Sequence, residues 1–197
     1  MPPPVLRDIT DDDVELIARI MADGFYDDPP MTWSFNGPEA IYPLMKLFAS
    51  RTYLPRGFGN IDEAGNGATM WLPPNAGTPF DILTMARMAF VLLRHGGLKA
   101  VNRSLKFGDF MEKHHPHEPH YYLFAIATTQ AARGKGVGGA LLKAGLARAD
   151  ADGIGCYLEN SKEQNLGFYQ AHGFEVMEKV HPVEGSPPLW RMWRKPH

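Results

Sequence analysis

The sequence has a single cysteine, Cys156, and no excess of either charge. One cysteine cannot form an intramolecular disulfide or a cysteine-rich zinc site, which suits a reducing compartment. The 20 Lys and Arg residues nearly balance the 22 Asp and Glu residues, so the basic surplus of a general nucleic-acid-binding protein is missing. With 197 residues, 44% of them hydrophobic, the composition predicts one globular domain over residues 1–197.

Signals for membrane insertion and export are missing too. The longest apolar segment, Ile82 to Leu93, contains Arg87 and is well short of the ~20 apolar residues of a spanning helix. Near the N-terminus the chain runs into the acidic stretch 11–13, whereas a secretory signal has a basic start and then an apolar stretch. We therefore expect a cytoplasmic protein with no membrane partner.

Apolar periodicity, with glycine and proline at the breaks, predicts the elements of an α/β fold. Helices are predicted at 11–25, 42–53, 80–94, 97–113, 137–151 and 165–171. Strands are predicted at 5–8, 59–63, 67–72, 121–128, 154–159, 174–180 and 189–194. A helix between strands 121–128 and 154–159 is a crossover connection, so these two strands should pair in parallel.

A glycine-rich loop at 133–139 precedes helix 137–151 and is the most informative segment. Glycines let a ligand approach the backbone, and the free amides of a helix N-terminus favour an anion such as phosphate. A Walker loop would need Lys and then Ser or Thr where Ala140 follows the last glycine. The spacing Gly134-x-Gly136-x-x-Gly139 matches the dinucleotide fingerprint, but only 38 residues follow Glu159, too few for the rest of a doubly wound sheet.

Two linked motifs resemble the GNAT superfamily of N-acetyltransferases. Arg133-x-x-Gly136-x-Gly138 after strand 121–128 resembles motif A, and 157–161 followed by 165–169 and Gly173-Phe174 resembles motif B. The segment 183–196 resembles the puromycin N-acetyltransferase branch. The resemblance is specific over 120–197 and looser over 1–119. It implies a mixed, mostly antiparallel sheet flanked by helices, with a splayed parallel pair of strands where the cofactor enters.

The resemblance also implies acetyl-CoA as the acetyl donor, bound by the C-terminal half, about 120–197. Backbone amides of 133–138 would hold the pyrophosphate, the strand end would pair with the pantetheine arm, and the facing helix would contact the cofactor. The expected acetyl-CoA-binding residues are Ile126, Ala127, Thr128, Arg133, Gly134, Lys135, Gly136, Val137, Gly138, Asn165, Phe168 and Tyr169.

Three residues are candidates for proton transfer. Tyr169 matches the superfamily tyrosine that protonates the departing thiolate, and a phenol can donate and then recover a proton. Glu159, at the end of a central strand, and His120, which opens the strand beside the cofactor, are competing candidates for the general base. The expected function is direct acetyl transfer to the primary amine of a small molecule. The alternatives are O-acetylation of a small alcohol or antibiotic, and acetyl-CoA binding without turnover.

The acceptor would be recognised by the N-terminal half, about 1–119. Asp27 and Asp28 are predicted to face a cationic amine, beside apolar walls supplied by Trp33, Phe35, Tyr53 and Trp71. We predict no metal site among His114, His115, His117 and His120, because the intervening prolines break any ligand spacing. Cys156 is predicted to be a buried small hydrophobe rather than a nucleophile. The motifs determine neither the identity of the acceptor nor the oligomeric state.

Overall fold

A seven-stranded sheet organises the described part of the chain, residues 4–76 and 80–197 of the computed structural model. Its strands are Leu6–Asp8 (β1), Asn60–Asp62 (β2), Gly67–Leu72 (β3), Tyr121–Thr128 (β4), Cys156–Asn160 (β5), Glu175–Val180 (β6) and Leu189–Arg194 (β7). The α-helices are Val14–Gly24 (α1), Pro29–Phe35 (α2), Ile41–Phe48 (α3), Leu54–Arg56 (α4), Ile82–His114 (α5), Val137–Ala151 (α6) and Leu166–Gln170 (α7).

The strand order is β1-β2-β3-β4-β5-β7-β6, and every neighbouring pair is antiparallel except β4 and β5. The α6 crossover between β4 and β5 explains that parallel pair, because a hairpin can join only antiparallel strands. The predicted mixed, mostly antiparallel sheet with one parallel pair is thereby confirmed.

Both faces at the centre of the sheet are buried, against different helices. On one face Met70 and Leu72 of β3 pack with residues of α1, α3 and α5. On the other face Trp71 packs with Leu142 and Leu146 of α6. The alternation follows from the two-residue period of a strand, and it makes β3 and β4 the hydrophobic centre of the molecule.

The helix α2 was not predicted, because Pro29 and Pro30 were interpreted only as the end of the preceding helix. The first helix does end at Gly24, but Asp28 then caps a new helix by accepting a hydrogen bond from the Met31 amide (3.0 Å). Proline suits the first turn of a helix, where its missing N–H would have no partner.

Two further differences concern helix continuity. The helices predicted at 80–94 and 97–113 form α5, which is broken at Gly97, where φ is +71° and the conformation is left-handed. The helix predicted at 42–53 continues from α3 into a π-helical turn at Ala49–Tyr53. The strand predicted at 154–159 begins two residues later, at Cys156, so Glu159 lies inside β5 rather than at its end.

Candidate active site

The central parallel strands separate partway along their length. Pairing of β4 with β5 is confined to Tyr121–Leu123 opposite Cys156–Leu158. A β-bulge lies at the same level, since Met70 pairs with Ala125 but Trp71 pairs with Leu123, leaving Phe124 as the extra residue of β4. A bulge bends and twists its strand. The last part of β4, residues 124–128, therefore diverges from β5 and leaves a gap whose apex lies between Leu123 and Leu158.

The glycine-rich loop lies at the end of this gap. Gly134 and Gly136 have φ of +74° and +81°, left-handed conformations that a side chain would strain. Within residues 4–76 and 80–197, no backbone carbonyl accepts a hydrogen bond from the amides of 137–139. These unpaired N–H groups at the start of the 15-residue helix α6 can hold an anion.

Two of the predicted acetyl-CoA-binding residues lie beside a third, Gly138. A Cβ atom built on Gly138 would lie 3.6 Å from Cγ2 of Thr128 and 3.8 Å from Cζ of Phe168. The end of β4, the start of α6 and helix α7 therefore form one groove. Asn165 precedes α7 and is half-buried, and in the described part of the chain its side chain has no hydrogen-bond partner.

The cations of the loop differ in their pairing. Arg133 lies 3.9 Å from Asp27 and donates to the Gly24 carbonyl at 3.4 Å, which ties the loop to the end of α1. Lys135 is exposed and forms no salt bridge with any described residue. Lys135 is therefore the cation of this loop that is free to meet a phosphate.

Tyr169 of α7 is buried in the core on the α6 side of the sheet, among Phe174, Leu166 and Phe168. Burial, and secondly the negative charge of Asp28, raise the pKa of its hydroxyl well above the ordinary value. At neutral pH this phenol is protonated, as a proton donor must be. The structure thus satisfies one requirement of the predicted role.

Asp27 and Asp28 do not form the open acidic surface expected of an acceptor site. Asp27 is bound by Lys162 at 2.6 Å, and Asp28 is buried and accepts hydrogen bonds from the Met31 amide and the Ser161 hydroxyl. Burial raises the pKa of Asp28. Both aspartates instead fasten the α1–α2 connection to the loop after β5.

Two of the four predicted aromatic walls, Trp71 and Tyr53, lie on opposite faces of the sheet. Trp71 is fully buried against α6, where a Cβ on Gly145 would come within 2.5 Å of its ring, so its prediction as an acceptor wall was wrong. Tyr53 stacks on Phe124 with ring centroids 4.2 Å apart, on the sheet face opposite α6. Phe124 is the bulged residue, so this pair lies at the apex of the gap.

Glu159 follows the last residue of β5 that pairs with β4, and its side chain is only 8% exposed. One carboxylate oxygen, Oε2, accepts a hydrogen bond from the Tyr122 hydroxyl at 2.8 Å, whereas the buried Oε1 has no partner among the described residues. Burial raises the pKa of Glu159 to about 7, although Tyr122, Tyr157 and Arg191 act in the opposite direction. A carboxylate with this pKa is suited to accept a proton at neutral pH.

His120 is buried at the start of β4 and reaches Glu159 only through His115. Its Nδ1 lies 2.6 Å from the Glu118 carbonyl oxygen, and its Nε2 lies 3.0 Å from Nε2 of His115. His115, whose side chain is 36% exposed, places Nδ1 4.0 Å from Oε1 of Glu159. Sequence reasoning assigned no role to His115, because its approach to Glu159 depends on how the 115–120 connection folds.

The remaining predictions concern a metal site, the Cys156 thiol and a membrane-spanning helix. Among the described residues no three His, Cys, Asp or Glu side chains are grouped as metal ligands would be. Cys156 is buried in β5, where burial raises its pKa to about 12, so the thiol is not activated. In the same residues, every helix is too short or too polar to cross a bilayer.

Comparisons with known proteins agree with this geometry. Residues 90–176 match the family model of the acetyltransferase (GNAT) domain. The chain is 26% identical to a solved structure from Corynebacterium glutamicum described as histone acetyltransferase HPA2 and related acetyltransferase, with a TM-score of 0.73 and 100% of this chain and 98% of that chain covered.

Two other solved structures resemble the chain in fold alone. Arylalkylamine N-acetyltransferase 2 of Aedes aegypti is 13% identical, with a TM-score of 0.67 and all of both chains covered. The Drosophila melanogaster polyamine N-acetyltransferase, which forms N-acetylagmatine, is 16% identical, with a TM-score of 0.62 and 98% of this chain and 100% of that chain covered.

Proposed function

We propose that the protein acetylates the primary amine of a small molecule with acetyl-CoA, because residues 90–176 match the GNAT acetyltransferase family model and the whole chain resembles an acetyltransferase structure. This agrees with the resemblance at the level of the superfamily. The observation that carries the proposal is the gap between β4 and β5. It has a buried carboxylate, Glu159, at its apex and the free amides of 137–139 at its far end. The puromycin-like branch and the cytoplasmic location stay predictions.

The residues of the groove fit acetyl-CoA. The amides of 137–139 and the cation of Lys135 would hold the pyrophosphate, since both supply positive charge at one helix end. The unpaired edge of β4, residues 126–128, is available for backbone hydrogen bonds with the pantetheine arm. Acetyl-CoA supplies an activated thioester, whose acetyl group the acceptor takes.

Transfer of the acetyl group requires one bond to form, one bond to break and two protons to move. The neutral amine nitrogen attacks the thioester carbonyl, the nitrogen–carbon bond forms, and the carbon–sulfur bond breaks. Glu159 takes the proton that the amine loses, and Tyr169 gives its phenolic proton to the departing sulfur, so that the products are the acetamide and the free thiol. Tyr169 then recovers a proton from solvent.

The charges beside the gap favour an acceptor with one ammonium group and an aromatic body. Asp27 is neutralised by Lys162, and Asp28 already holds two hydrogen bonds, which leaves Glu159 with a free oxygen. Tyr53 and Phe124 supply aromatic faces at the same level. An arylalkylamine has this character, whereas a polyamine would bring a second cation with no counter-charge here.

A panel of acceptors tests the proposal by release of free thiol from acetyl-CoA. We expect turnover with 2-phenylethylamine or puromycin, and at least 10-fold lower kcat/KM with agmatine and spermidine. Turnover with 2-phenylethanol alone would favour O-acetylation instead. Binding of acetyl-CoA without thiol release for any acceptor would favour the non-catalytic alternative.

A second experiment tests the donor site separately from catalysis. Coenzyme A at ~100 times its Kd should raise the Tm of the wild type by about 5–10 °C. The variant Gly138→Val should lose most of this shift, since its methyl groups would enter the groove between Thr128 and Phe168. Gly138 suits this test better than Gly136, whose left-handed φ of +81° would itself strain a valine.

Gly108→Val is the matched control, because Gly108 lies in α5 with nothing within 4 Å of a built Cβ atom. It should keep the full coenzyme A shift. An equal shift in the folded Gly138→Val variant would contradict the assignment of the donor site.

A further inference from the structure

His115 lies between two other titratable groups, Glu159 and His120, and it is the member of the three whose side chain reaches solvent. Its Nδ1 faces Oε1 of Glu159 at 4.0 Å, and its Nε2 meets Nε2 of His120 at 3.0 Å. The rings of Tyr122 and Tyr157 pack edge-on against it, with centroids 5.0 and 5.2 Å away. The ring is therefore held in one orientation, with about a third of its side chain exposed.

The hydrogen-bond partners of His115 and His120 determine which ring nitrogen of each histidine carries a proton. The Glu118 carbonyl can only accept, so Nδ1 of His120 carries the proton of that 2.6 Å bond. In the neutral ring Nε2 of His120 is then an acceptor, and Nε2 of His115 must be the donor to it. Nδ1 of neutral His115 is consequently unprotonated, with its lone pair towards Oε1 of Glu159.

We infer that His115 carries the catalytic proton from Glu159 to solvent, and that His120 is a positioning residue which holds His115 in the required tautomer. This inference rests on the proposed function. When Glu159 is ionised, the lone pair of His115 Nδ1 faces a negatively charged oxygen. Neither atom can donate a hydrogen, which explains why Nδ1 and Oε1 are 4.0 Å apart with no hydrogen bond between them. Once Glu159 has taken the proton of the amine, its O–H has an acceptor in front of it. The contact must then shorten by about 1 Å, as catalytic contacts in ligand-free structures commonly do.

The proton balance closes without any other reactant. The proton passes from the amine to Glu159 and from Oε1 to Nδ1 of His115. The partly exposed imidazolium then gives this Nδ1 proton to water while its Nε2–H stays bonded to His120, which restores the starting tautomer. The groups that face His115 are Glu159, Tyr122, Tyr157, His120, Arg191 and His117.

Burial, with the charges of His120 and Arg191, lowers the pKa of His115 to about 4, which keeps the ring neutral and able to accept a proton. Because the pKa of His115 lies below that of Glu159, the protonated ring is the stronger acid and gives its proton up readily to water.

Removing His115 should make the release of the proton depend on added buffer. In His115→Ala we expect kcat to fall at least ~5-fold in dilute buffer and to recover with added imidazole, which enters the vacated space and accepts the proton. His114→Ala is the matched control, since the neighbouring ring stacks on Phe110 and is bonded to its carbonyl rather than to Glu159. It should show neither loss nor rescue. Loss in His115→Ala without imidazole rescue, or no loss at all, would overturn the inference.

A measurement independent of turnover separates this inference from the proposed function. Nitrogen-15 spectra of the wild type at pH 8, assigned with His115→Ala and His120→Ala, should show His115 protonated on Nε2 and His120 on Nδ1. The opposite tautomers would overturn the inference even in an active enzyme. If no amine is acetylated, the proposed function fails, while the spectra still decide whether the hydrogen-bonded chain exists.

Discussion

Burial determines the charge of Glu159, and with it the chemistry at the apex of the gap. An unperturbed glutamate has a pKa of 4.5, at which Glu159 would be a weak base. With its side chain 8% exposed and one oxygen unpaired, its pKa is about 7. The same residue type on the surface of the sheet would lack this property.

Glu159→Gln should remove the rising limb of the pH–rate profile. In the wild type, kcat/KM should increase about tenfold per pH unit below pH 7 and level off above it, because the ionised carboxylate is the proposed base. The isosteric amide should lower kcat/KM by about 10²–10⁴ and leave a flatter profile. A variant with the wild-type profile would assign the rising limb to a different group.

The same substitution gives a stability readout. The folded-state pKa of Glu159 is raised from 4.5 to about 7, so its favourable contribution exists below pH 4.5 and is lost as pH rises through 7. The wild type should therefore lose up to about 3 kcal/mol between pH 4.5 and pH 8 from this group, and Glu159→Gln should not. Urea unfolding at both pH values measures the difference.

Tyr169→Phe should separate chemistry from packing at the second residue proposed to transfer a proton. The ring keeps its place between Phe168 and Phe174, so folding and coenzyme A affinity should be unchanged. Without the hydroxyl, kcat should fall at least ~10-fold if chemistry limits turnover. Single-turnover kinetics is the measurement. An unchanged chemical rate would make Tyr169 a packing residue and solvent the source of the proton.

At the scale of the elements, helix α6 can approach the sheet because Gly145 faces Trp71. A Cβ on Gly145 would lie 2.5 Å from the Trp71 ring, a distance that forces movement of either the ring or the helix. Because α6 also carries the amides of 137–139, its distance from the sheet sets where the proposed donor site lies. Gly145 therefore determines both how closely α6 packs on the sheet and where the proposed donor site lies.

Gly145→Ala should destabilise the protein by about 1–3 kcal/mol through overpacking, a fall in Tm of several degrees. Gly139→Ala in the same helix is the control, since its Cβ would meet only Nε2 of His172, at an ordinary 3.8 Å. That substitution should be neutral or stabilising by up to about 1 kcal/mol, as alanine is favoured over glycine in helices. Equal effects of the two substitutions, measured by thermal unfolding, would show that Trp71 adjusts freely.

At the scale of the whole molecule, the two predicted halves share one sheet. The donor half, about 120–197, begins with β4, which pairs along its length with β3 of the acceptor half. Arg148 also binds Asp8 at 2.9 Å, and the Gln130 amide donates to Asp23 at 2.7 Å. The halves describe a division of chemistry within the predicted single domain 1–197.

We therefore expect residues 120–197 to remain unfolded when expressed alone, because β4 would lose its β3 partner and expose the apolar residues that cover it. The full chain should unfold in one transition, with tryptophan fluorescence and far-ultraviolet circular dichroism giving the same midpoint. Two separate midpoints, or a folded fragment, would contradict the single domain.

The sequence by itself determined what depends on neighbouring residues. The glycine loop and the helix after it follow from local backbone preferences, and both were predicted. The start of α2 was also encoded locally, in Asp28 followed by two prolines, and could have been recognised as a helix cap with proline in the first turn.

Which residues lie next to Glu159 was determined only by the tertiary structure. His115 is 44 positions before Glu159 in the chain, and their contact depends on how far α5 extends and how the 115–120 connection turns back. The bulge at Phe124 and the point where β4 leaves β5 depend on the register of three strands. The raised pKa of Glu159 follows from this burial, because desolvation is a property of everything packed around a group and no short stretch of sequence contains it.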